Sequence, residues 1–224
     1  MFYYCITFIM TNLKYPNTET MRTEKNLKHS FGKGPFVLPQ IIQFADRLAK
    51  QAIKLGDTVI DATMGNGHDT IKLAQWVGSS GLVHAFDVQT QALQNTLERL
   101  EEHDLSERCK LHLRGHQFMS EEVNEEVAVV LFNLGYLPGQ DKLITTEVST
   151  TLLAIEQGLA LLKESGVLIV VVYPGHKAGQ TEQEALDHWI KQVDSRLYRS
   201  LRYQFENTAA PAPYVLAVEK LKTS

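Results

Sequence analysis

The sequence has little cysteine and no excess of positive charge. Its two cysteines, Cys5 and Cys109, lie far apart and belong to no CxxC pattern, which argues against a disulfide framework and against a zinc site. The formal net charge of −4 argues against a protein that coats nucleic acid indiscriminately, although a local RNA site stays open. We therefore expect a protein of a reducing compartment, the cytoplasm, that binds no metal.

Long apolar runs are also missing. The apolar segment 2–10 is far shorter than the ~20 residues that a membrane span needs, and it lacks a positive leading region. Segment 11–34 is polar and has no sustained apolar period. Residues 1–34 are therefore predicted to be a flexible tail or the product of an over-long start. Residues 35–224 are long enough for one well-buried domain.

Apolar residues recur at strand spacing and helix spacing in alternation from residue 38 onward. Strands are predicted at 58–62, 82–86, 111–113, 127–132, 167–172, 198–205 and 214–218. Helices are predicted over 41–52, 71–77, 93–100, 148–162 and 181–193, and in the third of them Leu93, Leu97 and Leu100 are expected to form one face. This order predicts an open α/β fold, a mostly parallel seven-stranded sheet with helices on both faces and an antiparallel edge hairpin.

The turn after the first predicted strand carries the pattern of a nucleotide site. It reads Asp-Ala-Thr-Met-Gly-Asn-Gly-His-Asp over residues 61–69. Gly65 and Gly67 let the main chain bend sharply and approach a ligand, and Asp61 places a carboxylate where it can hold an amino acid's ammonium group. Asp87 ends the next strand, where an acid can accept hydrogen bonds from both ribose hydroxyls. Together these groups predict a nucleoside with an amino-acid tail, S-adenosylmethionine.

The predicted cofactor site extends to the neighbours of these residues. His116 follows the third strand, where it is expected either to contact the adenine or to be a solvent-facing loop histidine. The full set of predicted cofactor-binding residues is Asp61, Thr63, Gly65, Asn66, Gly67, His68, Asp69, Asp87, Gln89, His116 and Asn133.

A dinucleotide-binding oxidoreductase using NAD(P) is the sharper rival hypothesis, since Gly-x-Gly followed by an acid fits that fold too. Its usual third glycine would fall at Thr70, however, and a carboxylate at Asp61 would repel a diphosphate. A non-catalytic nucleoside-binding module is the other alternative from a different class of protein.

The fourth predicted strand ends in a second candidate motif. Asn133 and Tyr136 have the spacing of an amine-binding loop of the Asn-Pro-Pro-Tyr type, with Leu134 and Gly135 in place of the prolines. In such a loop the amide oxygen orients the attacking nitrogen and the aromatic ring stacks on the acceptor. A tight turn with a core tyrosine is the alternative interpretation.

Three separated runs carry a family resemblance. They are residues 61–70, residues 132–139 with Asp141 and Lys142, and residues 173–179. In this order they closely resemble the bacterial family catalogued as rRNA methylases of the YtqB type, over about residues 38–220. Pro174 and Ala178 depart from the residues common in that family.

The resemblance implies a Rossmann-like class I methyltransferase fold and an S-adenosylmethionine-dependent enzyme that modifies tRNA. It implies methylation of the 5-aminomethyl group of 2-thiouridine at the wobble position, in the anticodon stem-loop. An rRNA methyltransferase and a small-molecule amine methyltransferase are the nearer alternatives.

The expected catalytic residues are Asn133, Tyr136 and His176. Asn133 would orient the amine, Tyr136 would pack on the uracil or the amine arm, and His176 would assist proton removal or contact a phosphate. Candidate phosphate-binding groups are the basic tail, the Lys142 region and the series Arg196, Arg199 and Arg202. Whether the protein is a monomer or a homodimer is left open.

Overall fold

The computed structural model describes residues 37–135, 147–174, 177–208 and 211–222. The chain divides into two compact units, Met1–Leu38 and Pro39–Ser224. Of the first unit only Val37 and Leu38 are described, so the predicted tail, residues 1–34, lies outside the described residues and its boundary stays a prediction. Tyr136 and His176 also lie outside them.

The second unit alternates helices with strands, as the apolar periodicity predicts. The α-helices are α1 (Ile41–Ala52), α2 (His68–Val77), α3 (Thr90–Glu102), α4 (Met119–Glu122), α5 (Val148–Leu161) and α6 (Lys177–Trp189). The strands are β1 (Thr58–Asp61), β2 (Leu82–Asp87), β3 (Cys109–Leu113), β4 (Val127–Asn133), β5 (Leu162–Val172), β6 (Tyr198–Gln204) and β7 (Tyr214–Lys220). Short 3₁₀ helices flank β3 at Ser106–Arg108 and His116–Phe118.

The strands form one seven-stranded sheet in the order β3-β2-β1-β4-β5-β7-β6. The first five in this order pair in parallel, and β7 pairs antiparallel with both β5 and β6. The predicted mostly parallel sheet with an antiparallel edge hairpin is therefore confirmed. Strands β2 and β3 lie on one side of β1 and strand β4 lies on the other, so the strand order reverses between β1 and β4. Ligands of open α/β sheets bind at such a point.

Both faces of the sheet are covered by helices because successive strand side chains point to opposite sides. On one side Val59, Val129 and Ile169 pack against α1, α2 and α3. On the other side Ile60 and Val170 pack against α5 and α6. The apolar strand residues thus belong to two cores, which explains why the central strands are apolar without alternation.

Two elements, β5 and α6, differ most from their predicted bounds. Strand β5 begins at Leu162, five residues early, because Ser165 adopts a positive φ of 62° and a register shift opposite Val127 lets the chain pair on both sides of the bulge. Helix α6 begins and ends earlier than expected. Ile190 and Val193 follow this helix and still pack on the core, which accounts for the longer apolar spacing.

The buried face of α3 also differs from the prediction. Ala92, Thr96 and Leu100 are buried, whereas Leu97 is 41% exposed, so the expected face of Leu93, Leu97 and Leu100 is wrong. The small side chains of Ala92 and Thr96 allow the helix to approach the turn after β1 closely, and leucines at those positions would not. None of the helices among the described residues has the length and apolar character needed to cross a membrane.

The orientation of α3 is tested by two leucines of the same helix. Leu100 is 1% exposed, so Leu100→Ala is expected to lower the free energy of unfolding by about 2 to 5 kcal/mol through lost burial and a new cavity. Leu97→Ala makes the same chemical change at a half-exposed site and is expected to cost about 0.5 kcal/mol. Urea denaturation followed by circular dichroism measures both, and equal losses would contradict this packing.

Candidate active site

Three polar residues end three neighbouring strands of the sheet. Asp61, Asp87 and Asn133 are the last residues of β1, β2 and β4, and β1 lies between the other two. Since parallel strands place their carboxyl ends at one edge of a sheet, the pairing brings these side chains to a common site. The strand pairing therefore places Asp61 and Asp87, the two acids predicted to bind the cofactor, beside Asn133 of the predicted acceptor loop.

Asp61 is a buried carboxylate, 1% exposed, with two donors from its own turn. One oxygen accepts the backbone N–H of Thr63 at 3.2 Å, and the other accepts the hydroxyl of Thr70 at 2.7 Å. Thr70 occupies the position where a dinucleotide-binding turn would carry its third glycine. Its hydroxyl bond to Asp61 gives that position a different role here, which weakens the oxidoreductase hypothesis.

Burial, helped by the nearby negative charge of Asp69 and opposed by the bonds from Thr70 and Thr63, raises the pKa of Asp61 to about 7. Among the described residues, no positive charge compensates the buried Asp61 carboxylate. A ligand ammonium group beside Asp61 would favour the ionised form. The electrostatics of the turn therefore suit a cationic ligand group and disfavour an anionic one.

Gly67 is required by the shape of the turn. Its φ of 78° lies in the left-handed region, and a Cβ atom there would come within 2.8 Å of the Thr96 hydroxyl. The same Thr96 hydroxyl donates to the carbonyl of Gly65 at 3.1 Å, and Asn95 donates its amide to Asn66 at 2.8 Å. Helix α3 thus holds the turn in place through hydrogen bonds from two polar side chains, Asn95 and Thr96.

Asp87 connects the turn to the second strand. Its two carboxylate oxygens accept backbone N–H groups of Gly65 at 3.0 Å and of Gln89 at 2.9 Å. Burial raises the pKa of Asp87, and the backbone hydrogen bonds oppose the shift. A carboxylate has about four acceptor positions, so lone pairs remain for ligand hydroxyls. This geometry is compatible with the predicted ribose contact.

Asn133 is held at both its main chain and its side chain. Its backbone N–H donates to the Thr63 hydroxyl at 2.7 Å, and its side-chain amide donates to Asp69 at 3.1 Å. Asp69 also forms an ion pair with Lys72 at 2.9 Å. The structure therefore joins Asn133, from the predicted acceptor loop, directly to the turn that carries the predicted cofactor residues.

His116 is buried, so the solvent-facing alternative for this residue is wrong. Its Nδ1 lies 3.0 Å from the carbonyl oxygen of Ala62, the residue after β1, and its ring meets Phe132 edge to face. Burial lowers the pKa of His116, which favours a neutral ring that donates from Nδ1 to that carbonyl. The loop after β3 is thereby attached to the turn after β1. Contact with an adenine stays a prediction.

Three contributing residues were missed by the sequence interpretation: Thr70, Lys72 and Thr96. Thr96 could have been found from its spacing, because it lies four residues from both Ala92 and Leu100 on an otherwise apolar face. A buried threonine at such a place needs a hydrogen-bond partner. The contacts of Thr70 and Lys72 depend on how the turn folds and have no comparable pattern in the sequence.

Over residues 83–219 the chain matches the family described as "Putative rRNA methylase". A relative from Arabidopsis thaliana, "tRNA (mnm(5)s(2)U34)-methyltransferase, chloroplastic", is 42% identical over 148 residues, which are 62% of this chain and 54% of that protein. The chain thus spans about half the length of this curated relative.

Two crystal structures resemble the fold over most of the chain. The "putative rRNA-methylase" of Clostridium thermocellum has a TM-score of 0.82 and 37% identity, covering 83% of this chain and 100% of that one. A "putative methyltransferase" of Streptococcus mutans in complex with SAH has a TM-score of 0.76 and 35% identity, covering 82% and 99%. The predicted Rossmann-like class I methyltransferase fold is therefore confirmed.

The electrostatics of Asp61 are tested by Asp61→Asn. The asparagine oxygen can accept from Thr63 and its NH₂ group can donate to the Thr70 hydroxyl, so both hydrogen bonds survive. The folded-state pKa of Asp61 is raised from 3.8 to about 7, so the contribution of Asp61 to stability is fully present below the unfolded pKa and is lost as the pH rises through about 7. Relative to wild type, the variant is expected to gain stability between about pH 4 and pH 8, by up to a few kcal/mol.

Urea denaturation of both proteins at several pH values measures this difference. Asp57→Asn, at a partly buried carboxylate paired with Lys163, is the matched control and should show no such gain. Parallel pH dependences for wild type and Asp61→Asn would contradict the assignment.

Proposed function

We propose a function from one premise: the chain belongs to the family described as "Putative rRNA methylase". We infer that it is an S-adenosylmethionine-dependent N-methyltransferase that acts on RNA and methylates the 5-aminomethyl group of 2-thiouridine at the wobble position of tRNA. One observation carries the proposal. Asp61, Asp87 and Asn133 end adjacent parallel strands, so that a site for a nucleoside with an ammonium tail lies beside a site for an amine.

The residues of the turn fit the proposed cofactor. The buried Asp61 would face the methionine ammonium group, which would relieve its raised pKa. Asp87 would accept the ribose hydroxyls, and Gly67 lets the turn adopt its left-handed backbone closely against Thr96 of α3. The N-terminus of α2 directs its first backbone N–H groups toward the same turn, where they suit the methionine carboxylate. When bound, the cofactor supplies an electrophilic sulfonium methyl group.

The acceptor must be an uncharged amine, because an alkylammonium has no lone pair with which to attack. Asn133 would accept an N–H of the amine through its side-chain oxygen and would aim the lone pair at the methyl group. Tyr136 is proposed to pack on the uracil or the amine arm. His176 is proposed to assist proton removal or to contact a phosphate. A neutral, hydrogen-bonded amine next to a bound methyl donor is the arrangement that N-methyl transfer needs.

The proposed RNA substrate rests on the Arabidopsis relative, whose name specifies tRNA and the modified nucleoside at position 34. Among the basic candidates, Arg196 pairs with Asp194, and Arg202 pairs with Asp187 and lies over the ring of Tyr214. Arg199 is exposed on the edge strand. Arg199 is therefore the better candidate of the three for a phosphate contact. A cytoplasmic location stays a prediction based on the cysteine pattern.

The direct test is methyl transfer from tritiated S-adenosylmethionine to tRNA purified from cells that lack the enzyme. Label is expected in tRNA, and mass spectrometry of its nucleosides should show 5-methylaminomethyl-2-thiouridine in place of the aminomethyl precursor. Label in rRNA alone, or in a small amine alone, would replace this substrate with one of the alternatives. Tight binding of NADH without binding of S-adenosylhomocysteine (SAH) would overturn the proposal.

The role of Asn133 is tested by Asn133→Ala. We expect kcat to fall by about 100-fold or more, because the amine loses the acceptor that orients it. Asn133 also belongs to the predicted cofactor-binding set, but its proposed contact is with the amine, so the affinity for SAH, measured by calorimetry, should change by no more than about threefold. Asn124→Ala removes an exposed asparagine before β4 and serves as the control. Turnover by Asn133→Ala within a few fold of wild type would exclude the orienting role.

A further inference from the structure

We propose that Asp69 is a positioning residue that determines which end of the Asn133 amide faces the acceptor amine. The inference rests on the proposed function. It gives Asp69, which the sequence analysis places among the cofactor-binding residues, a different role that acts through Asn133 and without contact with the reacting atoms. An amide carries a donor and an acceptor on one carbon atom, and rotation by half a turn exchanges them. A site that needs the acceptor end must therefore prevent that rotation.

The carboxylate of Asp69 has a separate donor on each oxygen. Its Oδ2 accepts from the Asn133 amide nitrogen at 3.1 Å, and its Oδ1 accepts from the Lys72 ammonium at 2.9 Å. Lys72 is in turn held by Asp46 of α1, at 3.1 Å from both carboxylate oxygens. Because Asp69 lies in the first turn of α2 and is bound from two sides, its orientation is fixed by the helix and by the lysine.

This arrangement fixes the Asn133 amide. The carboxylate is an acceptor, so the NH₂ group of Asn133 must face Asp69 and the oxygen must face the opposite direction. The main chain of the same residue is held by the Thr63 hydroxyl at 2.7 Å. Within the described parts of the chain no side chain or main-chain group donates to the Asn133 oxygen. That oxygen is therefore available to accept an N–H of the substrate.

An Asn133 amide in the reversed orientation would oppose the methyl transfer and would not only lose a favourable contact. An NH₂ group directed at the amine would donate a hydrogen bond to the lone pair that has to attack the methyl group. The lone pair would then be occupied and misdirected. The Lys72–Asp69–Asn133 chain of contacts excludes this state, and that exclusion is the role of the partly buried ion pair in the turn.

The substitution Asp69→Asn tests the inference because it changes one oxygen to an NH₂ group at constant shape. Lys72 can only donate, so it should take the single oxygen of the new asparagine and leave the NH₂ group facing Asn133. Two NH₂ groups cannot bond to each other, and the Asn133 amide should reverse. We expect kcat with the tRNA substrate to fall by about 100-fold, while KM for S-adenosylmethionine and the SAH affinity change by no more than about threefold.

A reciprocal exchange should restore the lost polarity. In Asp69→Asn with Asn133→Asp, the NH₂ group at position 69 donates to the carboxylate at position 133, whose other oxygen accepts from the amine. We expect at least a tenfold recovery of kcat over Asp69→Asn. The recovered activity should require a higher pH than wild type, since a carboxylate beside the amine favours the ammonium form.

A second rescue does not depend on the stability of the exchanged pair. In Asp69→Asn with Lys72→Met, the donor that fixes the asparagine is gone, so its oxygen can turn to Asn133 and the wild-type amide orientation returns. The matched control is Asp46→Asn, which makes the same change at the other partner of Lys72 without a contact to Asn133. Its kcat is expected to stay within about twofold of wild type. Thermal denaturation of each variant establishes that it is folded.

The outcomes separate the two claims. If wild-type protein transfers no methyl group to tRNA, the proposed function fails. If the wild type is active and Asp69→Asn stays within a few fold of it, or falls without recovery in either rescue variant, the positioning role is wrong. A fall in SAH affinity that matches the fall in kcat would assign Asp69 to cofactor binding and would also overturn the inference.

Discussion

The parallel pairing of β1 with β2 and with β4 is the constraint on which the site depends. The register aligns Asp61 with Ala85 on one side and with Leu131 on the other, and each of the three strands ends within two residues of these pairs. The last residue of each strand therefore faces the same edge of the sheet. A shift of the register by one residue would exchange the two faces of a strand. The apolar residues in both cores thus fix the position of the polar ones.

The turn after β1 combines a stable core with an unfavourable burial of charge. Burial raises the pKa of Asp61, and the bonds from Thr63 and Thr70 offset only part of that effect. The unfavourable burial of Asp61 is consistent with a site that binds a positively charged group of a ligand. The hydrogen bonds from Thr96 and Asn95 keep the turn formed without that ligand. Stability and binding therefore place opposite demands on the same residue.

Much of the fold follows from periodicity, whereas the contacts within the site follow from the close packing of a few side chains. The apolar runs predicted the seven strands and the edge hairpin, since burial on two faces leaves a strong pattern. The glycine turn and the acids one strand apart predicted where the site would lie. The buried face of α3 was predicted wrongly because the prediction followed the spacing of the leucines. The side chains that face the core next to Gly67 are instead the small ones of Ala92 and Thr96, and the need for small residues there arises only from the packing of the turn. The hydrogen bond from Asn133 to Asp69 joins residues 64 positions apart, a separation over which no local sequence pattern acts.

The decisive measurement is a crystal structure of the protein soaked with SAH. We expect both ribose hydroxyls to lie about 3 Å from the Asp87 carboxylate, with the amino group next to the turn that begins at Asp61 and the sulfur directed toward Asn133. A nucleoside bound at another edge of the sheet, or no bound nucleoside with Asp61 and Asp87 facing solvent, would contradict it.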